Sequence, residues 1–339
     1  MIMTKEDLQE KLDGLIAQEG SSMNLYFILH KQDEYVLKKA NVKNEALTPI
    51  RNVLHDNLAQ LRQMTNEDTF AVLNLSGAED RRNVIYKYDM EEELRPISLM
   101  KEVEAHLFDG NYFTLDNNRI FDFATDTFDE VDAWIASYGV EGNHIVIYRK
   151  TFPVNLLKQG RNLFIFKDAE QIDILREELF RIDGKIDFFL LDNTALIYNI
   201  SILEKFNDFK DIVQRSARNS LQQIAAADLV SDLAALQERA RDDISFARKL
   251  IKVTTNALIL NVVSKESIIQ FARTHAYLSK RLKVSADNKF ELDKKTSQNL
   301  FVQLLDDAFL HSELSSNDYL SPGKDKLSPE EAPANADNL

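Results

Sequence analysis

Two short apolar runs near the middle of the chain predict a buried β-hairpin. They span residues 186–191 and 194–200, both are rich in β-branched and aromatic side chains, and an Asp-Asn pair separates them. Such a pair between two apolar runs is typical of a tight turn. Ser201 and Glu204 then have the spacing of a capping box, which predicts a helix directly after the hairpin. We expect the following side chains of the hairpin to lie in the core: Phe188, Leu190, Leu196 and Tyr198.

Up to residue 166 the chain alternates between strand-like and helical patterns. Strands are predicted at residues 25–30, 35–39, 70–75, 84–88, 144–149 and 163–166. Helices are predicted at residues 4–17, 47–64 and, after Pro96, 91–108. The second helix would begin with Thr48 as its N-cap and Pro49 at its first helical position. Because this order is mixed, we predict an α+β fold with a mixed sheet.

The pattern changes after residue 184, since neither glycine nor proline occurs between residues 185 and 321. Both residue types disfavour helices, so their absence predicts helices joined by short polar turns. We therefore predict three parts. These are an α+β N-terminal domain (1–150), a domain with the central hairpin that is mostly helical after residue 201 (151–320), and a disordered, proline-rich tail (321–339).

Composition narrows the classes of protein to which the chain can belong. No apolar run approaches the roughly 18–20 residues that span a bilayer. Acidic residues interrupt the first 15 positions, so we expect no signal peptide. The chain has no cysteine, which excludes disulfides and thiolate chemistry. Together these features predict a cytoplasmic protein.

A basic segment stands out in a chain whose net charge is −14. Residues 239–283 hold ten basic and three acidic side chains, a local balance of +7, and many of the basic ones recur at helical spacing. Basic side chains on a helical face can contact phosphates, and an exposed tyrosine can stack on a base. The alternative is a solvated face that pairs with acidic protein surfaces. The predicted nucleic-acid-binding residues are Arg241, Arg248, Lys249, Lys252, Arg273, Tyr277, Lys280, Arg281 and Lys283.

Two blocks of the sequence resemble the KwaB-like family of the Kiwa anti-phage defence system. One is the hairpin-helix block at 183–209; the other lies within 301–320 and has the pattern residues Leu305, Asp306, Asp307, Leu310, Ser312, Glu313, Leu314 and Tyr319. The resemblance covers roughly residues 140–325. It implies a bacterial defence protein that acts on DNA, self-associates as a dimer and works with a small transmembrane partner, KwaA-like, which would recruit it to the inner membrane.

A metal-dependent nuclease is the main alternative. Asp183 and Lys185 form a D-x-K pattern beside a predicted strand, and Asp168, Asp187 and Asp192 are close in sequence. Nucleases of this class use carboxylates to hold Mg²⁺ and a lysine to polarise water or phosphate. However, a three-residue pattern recurs by chance, and the Asp-Gly pair also serves as a turn before the strand.

Other candidate sites are weaker. Asp307 and His311 are four residues apart on a predicted helix, but two ligands do not make a metal site. Trp134 is expected to be a core anchor at a helix end. The nine glycines are too widely spaced for a phosphate-binding loop. We therefore predict no catalytic residue, no metal and no cofactor. The favoured function is non-enzymatic, sequence-independent DNA binding, with a nuclease or a protein-interaction adaptor as alternatives.

Overall fold

The computed structural model describes residues 3–18, 22–32, 34–77, 83–110, 112–157, 165–168, 171–174, 178–255, 259–312, 314 and 317–320. The chain divides into two compact units, Met1–Ile212 and Val213–Leu339. The boundary expected near residue 150 falls inside the first unit, because strands on either side of it are neighbours in one sheet. The predicted tail lies outside the described residues.

The first unit is built on a sheet that helices cover. Its helices are α1 (Lys5–Ile16), α2 (Asn44–Met64), α3 (Arg95–Ala105) and α4 (Ile200–Leu203). Its strands are β1 (Ser22–Lys31), β2 (Glu34–Ala40), β3 (Ala71–Asn74), β4 (Val84–Lys87), β5 (Val131–Val140), β6 (Asn143–Lys150), β7 (Leu156–Leu157), β8 (Ile165–Asp168), β9 (Gln171–Ile174), β10 (Leu179–Phe180), β11 (Phe188–Leu191) and β12 (Thr194–Ile197).

Eight of these strands form one mixed sheet in the order β2-β1-β5-β6-β11-β12-β4-β3. Its neighbours are antiparallel except for the parallel pair β3 and β4. The predicted α+β class with a mixed sheet is therefore confirmed. The predicted hairpin is β11 and β12, with Leu191 opposite Thr194. Asp192 and Asn193 both have positive φ, 48° and 60°, which a two-residue hairpin turn of this hand requires.

The hydrophobic core lies against both faces of this sheet. On one face α1 and α2 pack with Phe27, Trp134 and Phe189 in a single buried cluster. On the other face α3 packs against β5, β6 and β11, and the rings of Tyr148 and Phe188 stack at 4.9 Å. Trp134 is a core residue as expected, but it lies in the middle of a strand and not at a helix end.

Three local predictions in this unit are wrong. The core position expected for Tyr198 fails because its side chain, one residue beyond β12, is 43% exposed. The helix expected from Thr48 begins at Asn44 and holds Pro49 in its interior. The capping box expected at Ser201 is absent, because Asn199 is the N-cap of α4 and the Ser201 hydroxyl donates to the Asn199 side-chain oxygen.

The second unit is mainly helical, as predicted. The division between the units falls within α5 (Asn207–Ala226), and four further helices follow: α6 (Ala234–Asp242), α7 (Ile244–Thr255), α8 (Lys265–Thr274) and α9 (Lys295–Leu305). A small hairpin, β13 (Phe309–Ser312) and β14 (Asn317–Leu320), comes after α9. The helix expected to carry Asp307 and His311 is therefore wrong, because α9 ends at Leu305 and Asp307 has a positive φ of 51°. No helix in the described ranges is long and apolar enough to cross a membrane.

Candidate nucleic-acid interface

The predicted basic stripe from residue 241 to 252 is not one continuous helical face. Asp243 interrupts the helix with an extended backbone, so α6 and α7 are separate. Within α7, Arg248 is 3% exposed and lies among the buried side chains. Lys249, one position further, is exposed. The expectation that Arg248 is a surface cation is therefore wrong, because most of the surface of α7 is buried, including the neighbouring Phe246, Ala247 and Leu250.

Two other cations of this stripe, Arg241 and Lys252, have acidic neighbours. The Lys252 ammonium lies 2.8 Å from an Asp306 carboxylate oxygen, and both side chains are mostly buried. Arg241 is exposed, and its Nε lies 3.1 Å from a carboxylate oxygen of Asp242. That pair is on the surface and stabilises little, so Arg241 stays available to another anion. Lys252 is held in place and would have to break a partly buried ion pair before it could contact a ligand.

The second group of predicted residues, by contrast, lies together on the surface. We call residues 273–283 the basic segment; it contains four cations and no acidic side chain. Ser264 caps α8, its hydroxyl accepting from the Ser267 N–H. The helix ends at Thr274, so most of the segment lies on the turns that follow and not on the predicted helical face.

Buried leucines fix these turns. Leu278 and Leu282 are 0% and 2% exposed, and the Leu282 N–H donates to the Leu278 carbonyl at 2.8 Å. Because the two leucines point inward, the residues between and beside them point outward. All four cations of the basic segment and its tyrosine are exposed: Arg273, Tyr277, Lys280, Arg281 and Lys283.

No acidic side chain within the described ranges forms an ion pair with the cations of the basic segment. The Arg281 guanidinium lies 3.9 Å from the Tyr277 ring centroid and donates to the Tyr277 carbonyl at 3.2 Å. Arg273 donates to the neutral Asn288 side chain at 2.8 Å. Among the described residues, Lys280 and Lys283 have no ion-pair partner. A flat tyrosine with a stacked guanidinium and adjacent ammonium groups is chemistry that suits a phosphodiester backbone.

The small hairpin β13–β14 supports the start of the basic segment. The His275 ring packs 5.4 Å from the Phe309 ring, and its Nε2 lies 3.8 Å from an Asp318 carboxylate oxygen. The His311 Nδ1 lies 2.9 Å from the other oxygen of the same carboxylate. The sequence did not reveal this support, because the contacts of His275 join residues more than 30 positions apart and a helix was expected where the hairpin forms.

Asp228 forms a second feature of this unit that the spacing did not indicate. Its carboxylate lies 2.7 Å from the Lys265 ammonium and also contacts Lys289. Hydrogen bonds from these two lysines lower the pKa of Asp228 to about 2. Two basic residues of this unit are thereby paired, which leaves the basic segment as its main concentration of free positive charge.

The carboxylates proposed for a nuclease are already bound to an arginine. Arg149 donates to both oxygens of Asp183, at 2.8 and 2.9 Å, and to Asp187 at 3.0 Å. Burial acts to raise the pKa of Asp183, but the hydrogen bonds and the charge of Arg149 outweigh it and hold that pKa below its usual value. Asp187 also accepts from the Lys150 N–H. A metal ion at this place would have to displace a guanidinium from both carboxylates.

The other residues of the predicted nuclease site do not join Asp183 and Asp187 in a metal site. Asp192 lies in the hairpin turn, 2.8 Å from the Lys11 ammonium. Lys185 is exposed, and its backbone N–H is 3.4 Å from an Asp183 carboxylate oxygen. Asp168 ends β8. In the part of the chain that the structure describes, no three His, Asp or Glu side chains are placed to share a metal ion.

Comparison with known proteins agrees with the resemblance of the two sequence blocks. The family model described as Kiwa protein KwaB-like matches residues 129–315, which include the central hairpin and the basic segment. The Kiwa protein KwaB of Escherichia coli O55:H7 (strain RM12579 / EPEC) is 27% identical over 328 residues, covering 96% of this chain and 99% of that protein. No solved structure matches the chain.

Proposed function

Because the chain belongs to the KwaB-like family of the Kiwa anti-phage defence system, we propose that it binds DNA without sequence specificity through the basic segment. The observation that carries this proposal is the group of four exposed cations and one exposed tyrosine within residues 273–283. The segment lies in a chain of net charge −14, so its charge does not reflect a generally basic surface.

The chemistry of the segment favours phosphate contacts over base recognition. Lysine and arginine side chains on turns reach the sugar-phosphate backbone, and such contacts carry no sequence information. The Tyr277 ring, with Arg281 on its face, offers a surface on which any base can stack. Lys249 and Arg241 are exposed, and we include them as further phosphate contacts. Arg248 and Lys252 do not, since one is buried and the other is paired with Asp306.

Specificity for foreign DNA would then come from where the protein is held. We infer that a small transmembrane partner recruits it to the inner membrane and that the protein acts there as a dimer. The resemblance to the family supports both points. Recruitment of this kind fits a surface that binds any DNA, because location supplies the discrimination that phosphate contacts lack.

The test is a salt titration of DNA binding with two matched variants. One replaces Arg273, Lys280, Arg281 and Lys283 by glutamine. The control replaces four other exposed cations by glutamine and so has the same net charge: Lys210, Arg218, Lys294 and Lys295. We expect the first variant to bind two unrelated duplexes at least about tenfold more weakly, and its slope of log K against log salt to flatten by about 0.9 for each phosphate that it no longer neutralises. The control should bind as the wild type does.

The outcomes separate the three functions. Wild-type affinity and slope in the first variant would refute the assignment to the basic segment. Equally weakened binding in both variants would show that only net charge matters. Cleavage of plasmid DNA in Mg²⁺ but not in EDTA would favour the nuclease. Absence of DNA binding even at low salt would leave the adaptor, whose basic segment would bind an acidic protein.

A further inference from the structure

A cleft of about 880 Å³ opens on the first unit, far in sequence from the basic segment. It lies where the β1–β2 turn, the end of β6, the start of α3 and the segment between α4 and α5 meet. Its volume is within the range of small-molecule sites. Its charged lining comprises three cations, Arg95, Lys150 and Lys205, and two carboxylates, Glu34 and Asp208.

Two of the three cations have no acidic partner in the part of the chain that the structure describes. Arg95 is exposed at the first position of α3 and forms no ion pair with any other described residue. Lys205 is also exposed, and its described contact is the Phe152 ring, 5.2 Å from the ammonium. Lys150 differs, because it is paired with Asp132 and lies 5.5 Å from the Phe206 ring centroid. The cleft therefore offers two free positive charges at its mouth.

A stacked pair of rings lines the same cleft. His30 and Tyr35 face each other across β1 and β2, with ring centroids 4.9 Å apart and planes inclined by 23°. His30 is exposed and Tyr35 is half-buried. Burial, and then the charges of Asp132 and Asp208, raises the pKa of Tyr35, so its hydroxyl stays protonated. A planar group can continue this stack, since aromatic side chains stack on bases regardless of their identity.

A buried hydroxyl belongs to the same strand as Lys150, although its residue does not line the cleft. Tyr148 is fully buried, and its oxygen has no hydrogen bond to any described residue. Tyr148 is two positions from Lys150 on β6, so the two side chains are on the same face of the sheet. One carboxylate oxygen of Asp132 and the Thr151 hydroxyl are likewise buried without a partner among the described residues, but these two residues line a neighbouring cavity that shares His30 with the cleft. Buried polar groups are nearly always hydrogen-bonded, so these atoms indicate a polar interior beside the cleft and are not assigned as contacts to its ligand.

We propose that this cleft binds a nucleotide unit, with its phosphate at Arg95 and Lys205 and its base against the His30–Tyr35 stack. Glu34 and Asp208 would accept hydrogen bonds from sugar hydroxyls or base amino groups. These carboxylates disfavour a bare anion, because a phosphate alone would meet their repulsion without using the rings. The nucleotide could come from a free nucleoside triphosphate or from the end of a DNA strand.

The experiment is calorimetric titration of the full chain with three probes: ATP, inorganic phosphate and 5′-phosphorylated pentathymidine. The test variants are R95Q/K205Q and Y35L. Their matched controls are K43Q/K185Q, two exposed lysines of the same unit outside the cleft, and Y198L, an exposed tyrosine outside it. We expect both test variants to weaken binding of ATP or of the oligonucleotide by at least about tenfold: R95Q/K205Q because charge-assisted hydrogen bonds are lost, and Y35L because base stacking is lost. Both controls should bind as the wild type does.

The probes distinguish the two sources of the nucleotide. ATP binding that the test variants weaken assigns the cleft to free nucleotides. Binding of the oligonucleotide alone, weakened in the same way, assigns it to strand ends. The proposal is overturned if the test variants bind both probes as the wild type does, if the wild type binds neither, or if an equal concentration of phosphate displaces ATP. Every variant in this experiment keeps the basic segment intact. The results therefore test the cleft alone, whether or not the basic segment binds duplex DNA.

Discussion

Replacement of Arg149 by methionine tests what holds the hairpin to the rest of the sheet. Arg149 is 6% exposed, and it binds the carboxylates of Asp183 and Asp187, of which Asp187 is fully buried. The substitution would leave two carboxylates without their cation: Asp187, which is fully buried, and Asp183, whose side chain is 12% exposed. Removal of one partner from a buried ion pair destabilises a protein by about 3–5 kcal/mol, because the remaining charge is uncompensated. We expect a loss of that size in the free energy of unfolding of the first unit.

Urea unfolding followed by tryptophan fluorescence measures this loss directly. Trp134 is the only tryptophan of the chain, and it is paired in register with Arg149 across β5 and β6. Its emission therefore reports on the sheet next to the substitution. The matched control is R181Q, since Arg181 is 58% exposed and lies 3.8 Å from Asp183. A surface pair of this kind contributes at most about 1 kcal/mol.

A second set of variants separates the charge from the shape of the side chain. In R149M/D183N/D187N the buried charges are gone, so we expect part of the lost stability to return, as it does when a whole buried ion network becomes neutral. An R149M variant that is as stable as R181Q would refute the reasoning, because it would show that the two carboxylates do not depend on Arg149. A triple variant less stable than R149M would show that packing matters more than charge.

Two further predictions concern the same unit. Phe188→Ala should lower the free energy of unfolding by about 3–5 kcal/mol in the same urea assay, because Phe188 is fully buried against the Tyr148 ring. The control is Tyr198→Ala, at an exposed position. Equal stabilities of the two variants would contradict the burial of Phe188. The pKa of Asp183 is lowered in the folded chain, so its contribution to stability is present above the unfolded value of about 3.9 and is lost as the pH falls through the folded value. Stability measured from pH 6 downward should therefore decline less steeply in D183N than in the wild type, and identical pH profiles would contradict the linkage.

Local sequence patterns predicted secondary-structure elements such as the central hairpin. They did not predict features that depend on contacts between residues far apart in the sequence. The hairpin could be predicted because its two runs and its turn lie close together, between residues 186 and 200. The Arg149 network could not, because its partners are 34 and 38 positions away. Helical spacing assigned Arg248 to the surface, but the packing of the second unit buries it. The basic segment could be predicted by composition alone, whereas its turns depend on Leu278 and Leu282, whose burial no spacing rule indicates.

The order of strands in the large sheet indicates that the family segment, residues 129–315, does not fold well without the rest of the chain. Residues 129–315 contain β5, β6, β11 and β12, which are the four middle strands. Their outer neighbours, β1 on one side and β4 on the other, come from the first 87 residues. A fragment limited to the family segment would therefore expose two unpaired, apolar strand edges, which are templates for aggregation. The N-terminal strands likewise depend on the family segment during synthesis. The strand β4 has no antiparallel neighbour until the ribosome has made β12, more than 100 residues later.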